Sequence, residues 1–326
     1  MEYKENKDIN SNFHRIGGKD LYKDKNEKFL DYRKKWNEYP RDFHVGNFPL
    51  FLDIESTNVC NLRCPFCATT MSGKKQKKGY MSVSMMEKII DEGADNGLYG
   101  VKFNIRGEPL LHPKIDYFVK YAKEKGLIDV YFNTNGFCLT KEMSYRLIDA
   151  RLDRISISFE GFTKEVYEKN RVGSSYEKVL ENINNLREIR DKNKIDYPKI
   201  RIQTVKLPNS EFDMEEYKNF WKSRVDEIAF LDYKDIDGKK EGIKNSWICC
   251  QLWQRMAILW DGSISPCNHG DELKIFLGSI NDHSLKTYWE SDRLNKIRDT
   301  HKKGLAYKIK ACDSCYLRSS EICKYM

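Results

Sequence analysis

From Leu50 onward, short runs with strand character alternate with segments of helical spacing. The strand-like runs read "LFLDIE", "GVKFNI", "IDVYFNTN", "RISISF", "KIRIQTV" and "VDEIAFLD". Between them, apolar residues recur at helical intervals, as in Met85, Met86, Ile89, Ile90, Gly93 and Ala94, or Ile115, Phe118, Val119 and Ala122. Six such β/α units predict an α/β fold with a parallel sheet curved into a partial (β/α)6 barrel. Several strands also alternate apolar with polar, whereas a sheet buried on both faces is apolar throughout. Ile155, Ile157 and Phe159 oppose Ser156, Ser158 and Glu160; Leu52 and Ile54 oppose Asp53 and Glu55; Ile200 and Ile202 oppose Arg201 and Gln203. If helices cover the apolar rows, the polar rows line the concave side, and a polar-lined cavity predicts polar ligands.

The pattern divides the chain into three. Residues 1–48 are charged and aromatic, with a helix expected near Asn26 to Glu38; residues 49–240 hold the β/α units. Residues 241–326 change character, with a hairpin-like "MAILWDGSISPC", a helix near Ser284 to His301 and a cysteine-bearing tail. The boundary is expected between Lys239 and Ser246.

Composition narrows the function. The 326 residues contain no run of about 18 apolar residues and no apolar leader at the N-terminus, so a soluble, cytoplasmic protein without a membrane partner is expected. Ten cysteines in a reducing compartment remain available as thiolates. The net charge of +8 is spread along the chain, with one dense run, "GKKQKKG". That run reads as solvated surface or as a docking patch for an acidic reductant or an anionic substrate. No histidine pair at i, i+4 and no G-x-S-x-G motif supports a hydrolase.

The cysteines carry the chemistry. In "ESTNVCNLRCPFCATT", Cys60, Cys64 and Cys67 stand at C-x3-C-x2-C spacing, with no fourth Cys or His nearby. A structural zinc site needs four protein ligands, whereas a 4Fe-4S cluster tolerates three by leaving one iron open. The motif follows the first strand, where a parallel barrel carries its active site.

With Phe66 in the aromatic position of C-x3-C-x-aromatic-C, and with "RGEP", "NTNG" and "SISFEG" following successive strands, the chain resembles the radical S-adenosylmethionine (SAM) superfamily from Phe51 to about Leu231. The resemblance implies a 4Fe-4S cluster on Cys60, Cys64 and Cys67 whose open iron binds the methionine end of SAM. It places Gly107, Glu108 and Pro109 at the SAM amino group, and Ser158 and Arg171 at positions that contact SAM. Glu160 stands where many relatives have Asp, at the SAM ribose. Gln203 joins the cofactor set by its inward parity. The chemistry implied is reductive cleavage of SAM to methionine and a 5'-deoxyadenosyl radical, with electrons from a flavodoxin or ferredoxin-type reductant.

The tail reads Cys250-x11-Gly262-x4-Cys267, then 44 residues, then Cys312-x2-Cys315. Two cysteine pairs suit a four-thiolate site, either zinc or a second 4Fe-4S cluster. The arrangement resembles the SPASM and shorter twitch domains of radical SAM enzymes, which implies one auxiliary 4Fe-4S cluster held by Cys250, Cys267, Cys312 and Cys315. Cys138, Cys249 and Cys323 remain. Cys249 is the best placed of them to return a hydrogen atom to a substrate radical.

By analogy with 2-deoxy-scyllo-inosamine dehydrogenase and aminoglycoside epimerases, the expected reaction is dehydrogenation of a carbohydrate or cyclitol carbinol, the auxiliary cluster accepting an electron. The alternatives are epimerisation of a sugar or aminoglycoside and modification of a peptide or protein. A nucleic-acid substrate is disfavoured, because the positive charge is not gathered on an aromatic-bearing strand pair.

Overall fold

The computed structural model describes residues 13–18, 26–73, 76–207, 213–233, 247–268, 275–313 and 315. The expected boundary between Lys239 and Ser246, part of the lysine run, and Cys323 lie outside them. In chain order the elements are β1 (Phe13–Gly18), α1 (Glu27–Arg41), β2 (Phe51–Ile54), α2 (Ala68–Met71), α3 (Val83–Asp95), β3 (Gly100–Lys102), α4 (Ile115–Glu124), β4 (Asp129–Thr134), α5 (Lys141–Asp149), β5 (Arg154–Ser158), α6 (Lys164–Asn170), α7 (Tyr176–Lys192), β6 (Lys199–Lys206), α8 (Met214–Trp221), β7 (Glu227–Asp232), β8 (Arg255–Ile258), β9 (Ser263–Ser265), β10 (Gly278–Ser279), α9 (Leu285–Trp289), α10 (Asp292–Lys302) and α11 (Lys310–Asp313). Most helices begin at a short polar side chain that accepts a first-turn N–H: Asn26 for α1, Ser82 for α3, Thr140 for α5, Ser175 for α7, Asp213 for α8 and Ser291 for α10.

Among the described residues the ten strands form one sheet, in the order β1-β7-β6-β5-β4-β3-β2-β8-β9-β10. From β2 to β7 each new strand lies beside its predecessor and parallel to it. Such single winding keeps the helices on one side and curls the sheet. The register turns the alternation into lateral rows, pairing Asn133 with Ser156, Ser156 with Arg201, Arg201 with Glu227, and Ser158 with Gln203. The opposite rows, including Ile155, Ile157, Ile200 and Ile202, are wholly buried in the main core.

Two features depart from the sequence pattern. The N-terminal segment contains β1, which pairs antiparallel with β7, as well as the expected helix. Beyond the β/α units, β8 runs parallel to β2 and extends the same sheet, followed by the β8–β9 hairpin. Among the described residues, no helix is long and apolar enough to cross a membrane.

The inner face is also less open than alternation alone predicts. Phe29, Tyr32 and Trp36 of α1 pack with Phe51, Tyr99 and Tyr131 at the start of β2, β3 and β4, plugging that end. Above the plug, Asp53 pairs with Lys102 at 2.6 Å and Arg255 at 3.3 Å, Glu55 with Arg106 at 2.6 Å, and Arg201 with Glu227. Charges withdrawn from water are tolerated when paired, so these inward residues satisfy one another instead of a ligand. Burial alone would raise the Asp53 carboxyl; Lys102 and Arg255 outweigh it and hold the group below its ordinary range.

Candidate active site

A cavity of about 810 Å³ lies at the C-terminal ends of the strands. One wall is the loop after β2. There Cys67 N–H donates to Cys64 O at 3.1 Å, and Thr70 and Met71 N–H donate back to Cys67 O at 2.9 Å, so α2 starts directly from the third cysteine. Cys60, Cys64 and Cys67 all face the cavity, together with Phe66. Leu62 N–H donates to Cys60 Sγ at 3.5 Å, and Arg171 Nη1 to Cys64 Sγ at 3.7 Å. Burial pushes the Cys60 thiol up to about 11 and also raises Cys64, so both favour the neutral form until a cation compensates the thiolate. Iron supplies that charge, and three thiols with N–H donors already aimed at two of them suit an iron-sulfur cluster. The thiols share a wall without being gathered on one point, and no group of three His, Cys, Asp or Glu among the described residues is drawn together to hold a metal ion.

The second wall comes from the end of β3. Glu108 N–H donates to Val59 O at 2.8 Å, which docks the "RGEP" turn onto the cysteine loop. Gly107 has φ 70°, and a Cβ there would lie 2.4 Å from Thr57 O, so the contact requires glycine. Gly107 and Glu108 border the cavity, whereas Pro109 does not. The Glu108 carboxylate points into the wall, accepting from Thr134 Oγ1 at 2.6 Å, Asn135 N–H at 2.7 Å and Leu110 N–H at 3.0 Å. Burial raises this carboxyl despite those donors. Glu108 therefore fastens "NTNG" to "RGEP" and leaves the turn's backbone to face a ligand.

Ser158, Gln203 and Arg171 line the cavity; Glu160 does not. Glu160 is fully buried and grips Arg171 with both oxygens, Arg171 Nη2 lying 2.7 Å from Oε1. Burial disfavours the guanidinium, but Glu160 outweighs it and holds the group charged. The extra methylene of Glu over Asp thus serves reach toward Arg171, whose guanidinium lies 5.3 Å from the Phe66 ring. Gln203 Nε2 sits 3.5 Å from Ser158 Oγ, as their shared register predicts.

The far end belongs to the tail. Cys249, Cys267, Cys312 and Cys315 line the same cavity. Cys250, 2% exposed in the first turn of a 3-10 segment (Cys250–Trp253), is absent from the lining. Cys249, expected near the cavity as a hydrogen donor, does line it, whereas Cys250, expected as a cluster ligand, is buried outside the lining. Cys138 follows the "NTNG" turn, packs against the core and does not reach the cavity. His301, invisible in the sequence as a lone histidine in a helix, is fully buried and also lines the cavity, with Asn104, Asn133, Asn135 and Asn268 contributing amides.

Comparison with known proteins agrees with this geometry. The model of the Radical SAM superfamily matches residues 54–206, and that of the SPASM iron-sulfur cluster-binding domain matches residues 249–316. GTP 3',8-cyclase of Aliarcobacter butzleri is 32% identical over 197 residues, 60% of this chain and 58% of that protein. A probable GTP 3',8-cyclase of Sulfolobus acidocaldarius is 27% identical over 191 residues, 58% of each. The chain thus spans 58% of the length of these relatives. Among solved structures, BtrN in complex with AdoMet and 2-DOIA shares 17% identity over 83% of this chain and 94% of that one, with a TM-score of 0.58. His-tagged anSMEcpe with bound AdoMet shares 18% identity over 80% and 84%, with a TM-score of 0.60. At such identities the structures show the fold alone. Two domain matches in the expected order, on a sheet that brings seven cysteines to one cavity, place the chain in the radical SAM superfamily, with a C-terminal SPASM region and with a 4Fe-4S cluster, SAM and an auxiliary cluster as its cofactors.

Proposed function

We propose that this radical SAM enzyme abstracts hydrogen from a hydroxyl-bearing carbon of a small polar substrate, and that the reaction is dehydrogenation of a carbohydrate or cyclitol carbinol. One observation carries the reading: both cysteine sets open into a single cavity whose intervening lining includes the neutral side chains of Asn104, Asn133, Ser158, Gln203 and Asn268. Amides and hydroxyls donate and accept at once, which suits a ring of hydroxyl groups. Arg106 and Arg171, also on the lining, are engaged by Glu55 and Glu160.

When bound, the clusters and SAM supply the 5'-deoxyadenosyl radical and an acceptor for one substrate electron. The chain positions these partners. Cys60, Cys64 and Cys67 hold the first cluster; the backbone of Gly107 and Glu108, with Ser158, Gln203 and Arg171, holds SAM; Phe66 packs beneath Arg171. Glu160 and Glu108 act behind them, one fixing Arg171 and the other fixing the two loops. Cys267, Cys312 and Cys315 hold the auxiliary cluster with one of the Cys249–Cys250 pair, of which Cys249 is better placed. Radical SAM enzymes require an external reductant, and a flavodoxin or ferredoxin of the cytoplasm fits that need. Loss of a hydrogen atom, a proton and an electron from the carbinol yields the ketone.

A second reading is nucleotide cyclisation, favoured by the similarity to GTP 3',8-cyclases, whose chemistry also falls at a sugar carbon. Anaerobic incubation of the reconstituted full chain with SAM, reductant and either cyclitols and aminosugars or GTP separates the two. A product two mass units lighter than its polyol supports dehydrogenation. A cyclised GTP product refutes it, and an epimeric sugar that is equal in mass to its substrate in ordinary water and one mass unit heavier in heavy water assigns epimerisation.

A further inference from the structure

Helix α10 packs behind the auxiliary cysteines and presents two buried groups one turn apart. His301 Nδ1 accepts from Cys249 N–H at 3.2 Å, and His301 Nε2 lies 3.4 Å from Cys312 Sγ. Because a backbone N–H occupies Nδ1, the ring proton resides on Nε2 and points at sulfur. The ring is fully buried, with Trp247 edge-on to it at 5.5 Å, so its orientation is fixed. A single side chain thereby joins the segment entering the 3-10 turn to the "CDSC" segment more than sixty positions later.

Arg298 precedes His301 on the same helix face. It is 3% exposed and donates to Leu252 O at 3.0 Å, Trp289 O at 2.8 Å and Asn295 Oδ1 at 2.7 Å, all of them neutral acceptors. Burial pushes its guanidinium down to about 10, which leaves it charged at neutral pH. One acceptor, Leu252 O, belongs to the same turn that carries Cys249 and Cys250.

We propose that His301 is a positioning residue of the auxiliary cluster, holding Cys312 by an Nε2–H to sulfur hydrogen bond that raises the cluster's reduction potential. Hydrogen bonds to ligand sulfur and nearby positive charge both stabilise the more negative, reduced cluster. Arg298 adds its charge from the same helix. The inference rests on the reading that the C-terminal cysteines hold the auxiliary cluster.

The test uses the full chain carrying Cys60→Ala, Cys64→Ala and Cys67→Ala, so that one cluster is observed. About four irons per chain establishes the tail site; zinc in their place overturns both the proposal and the reading beneath it. With the cluster reduced and histidine labelled with nitrogen-15, pulsed EPR should show one weakly coupled histidine nitrogen. No coupling, or coupling as strong as direct ligation, overturns the proposal. His301→Leu should lower the midpoint potential by about 59 mV, a tenfold change for one electron. His301→Gln, which keeps an N–H donor, should recover most of that shift. Four irons with an unchanged potential in His301→Leu overturns the proposal alone. Should His301→Leu fail to assemble its cluster, the labelled parent and His301→Gln decide.

Discussion

Asn268 Nδ2 donates to Asp53 Oδ2 at 2.9 Å, tying the residue after Cys267 to the middle of β2. The same carboxylate receives Lys102 and Arg255, so one buried anion joins β2, β3, β8 and the tail. Asp53→Asn strands two buried cations. Breaking a buried pair costs about 3–5 kcal/mol, and urea unfolding of the apoprotein should show a loss of that size. The native carboxyl lies below its unfolded value of 3.8, so its contribution is complete above that pH and is lost as pH falls through the folded value. The gap between parent and variant should therefore close in strong acid. A variant as stable as the parent at neutral pH would count against the network.

The proposed SAM contact of Arg171 rests on Glu160, which grips the guanidinium with both oxygens. Glu160→Gln and Arg171→Gln should each weaken SAM binding by about tenfold, or about 1.4 kcal/mol, in protein with a full complement of iron. The double variant should lose little more, since the two changes remove one device. Additive losses measured by calorimetry would show that Glu160 contributes separately.

Gly107 admits no side chain. Gly107→Ala forces a Cβ to within 2.4 Å of Thr57 O at φ 70°, so the "RGEP" turn must leave the cysteine loop. Backbone strain of this kind costs roughly 1–3 kcal/mol. The variant should reconstitute the tail cluster yet lose most reductive cleavage of SAM, measured as 5'-deoxyadenosine. Unimpaired cleavage would contradict the docking role.

The adjacent cysteines give opposite outcomes. Cys249→Ala should forfeit the auxiliary cluster and leave about four irons, whereas Cys250→Ala should keep about eight. The reverse pattern returns Cys250 to the cluster and frees Cys249 as a hydrogen donor.

The six strands of the β/α units were legible because their alternation is local. β1 was not, since "FHRIGG" has little apolar content of its own and pairs only with the distant β7. Parity identified the inward residues but not their partners: nothing in Arg201 and Glu227, twenty-six positions apart, announces that they neutralise each other. The three-cysteine loop was legible because its spacing is compact. Which of Cys249 and Cys250 lines the cavity was not, because that depends on how the chain enters a turn.

The pairing of β8 with β2 gives the tail a second duty. An outermost strand with unpaired N–H and C=O groups is a template for another chain, and β2 would become such an edge were β8 removed. A protein cut back before residue 247 should therefore associate edge to edge even where its first three cysteines are intact. In this chain the cluster-bearing segment also serves as a guard against aggregation.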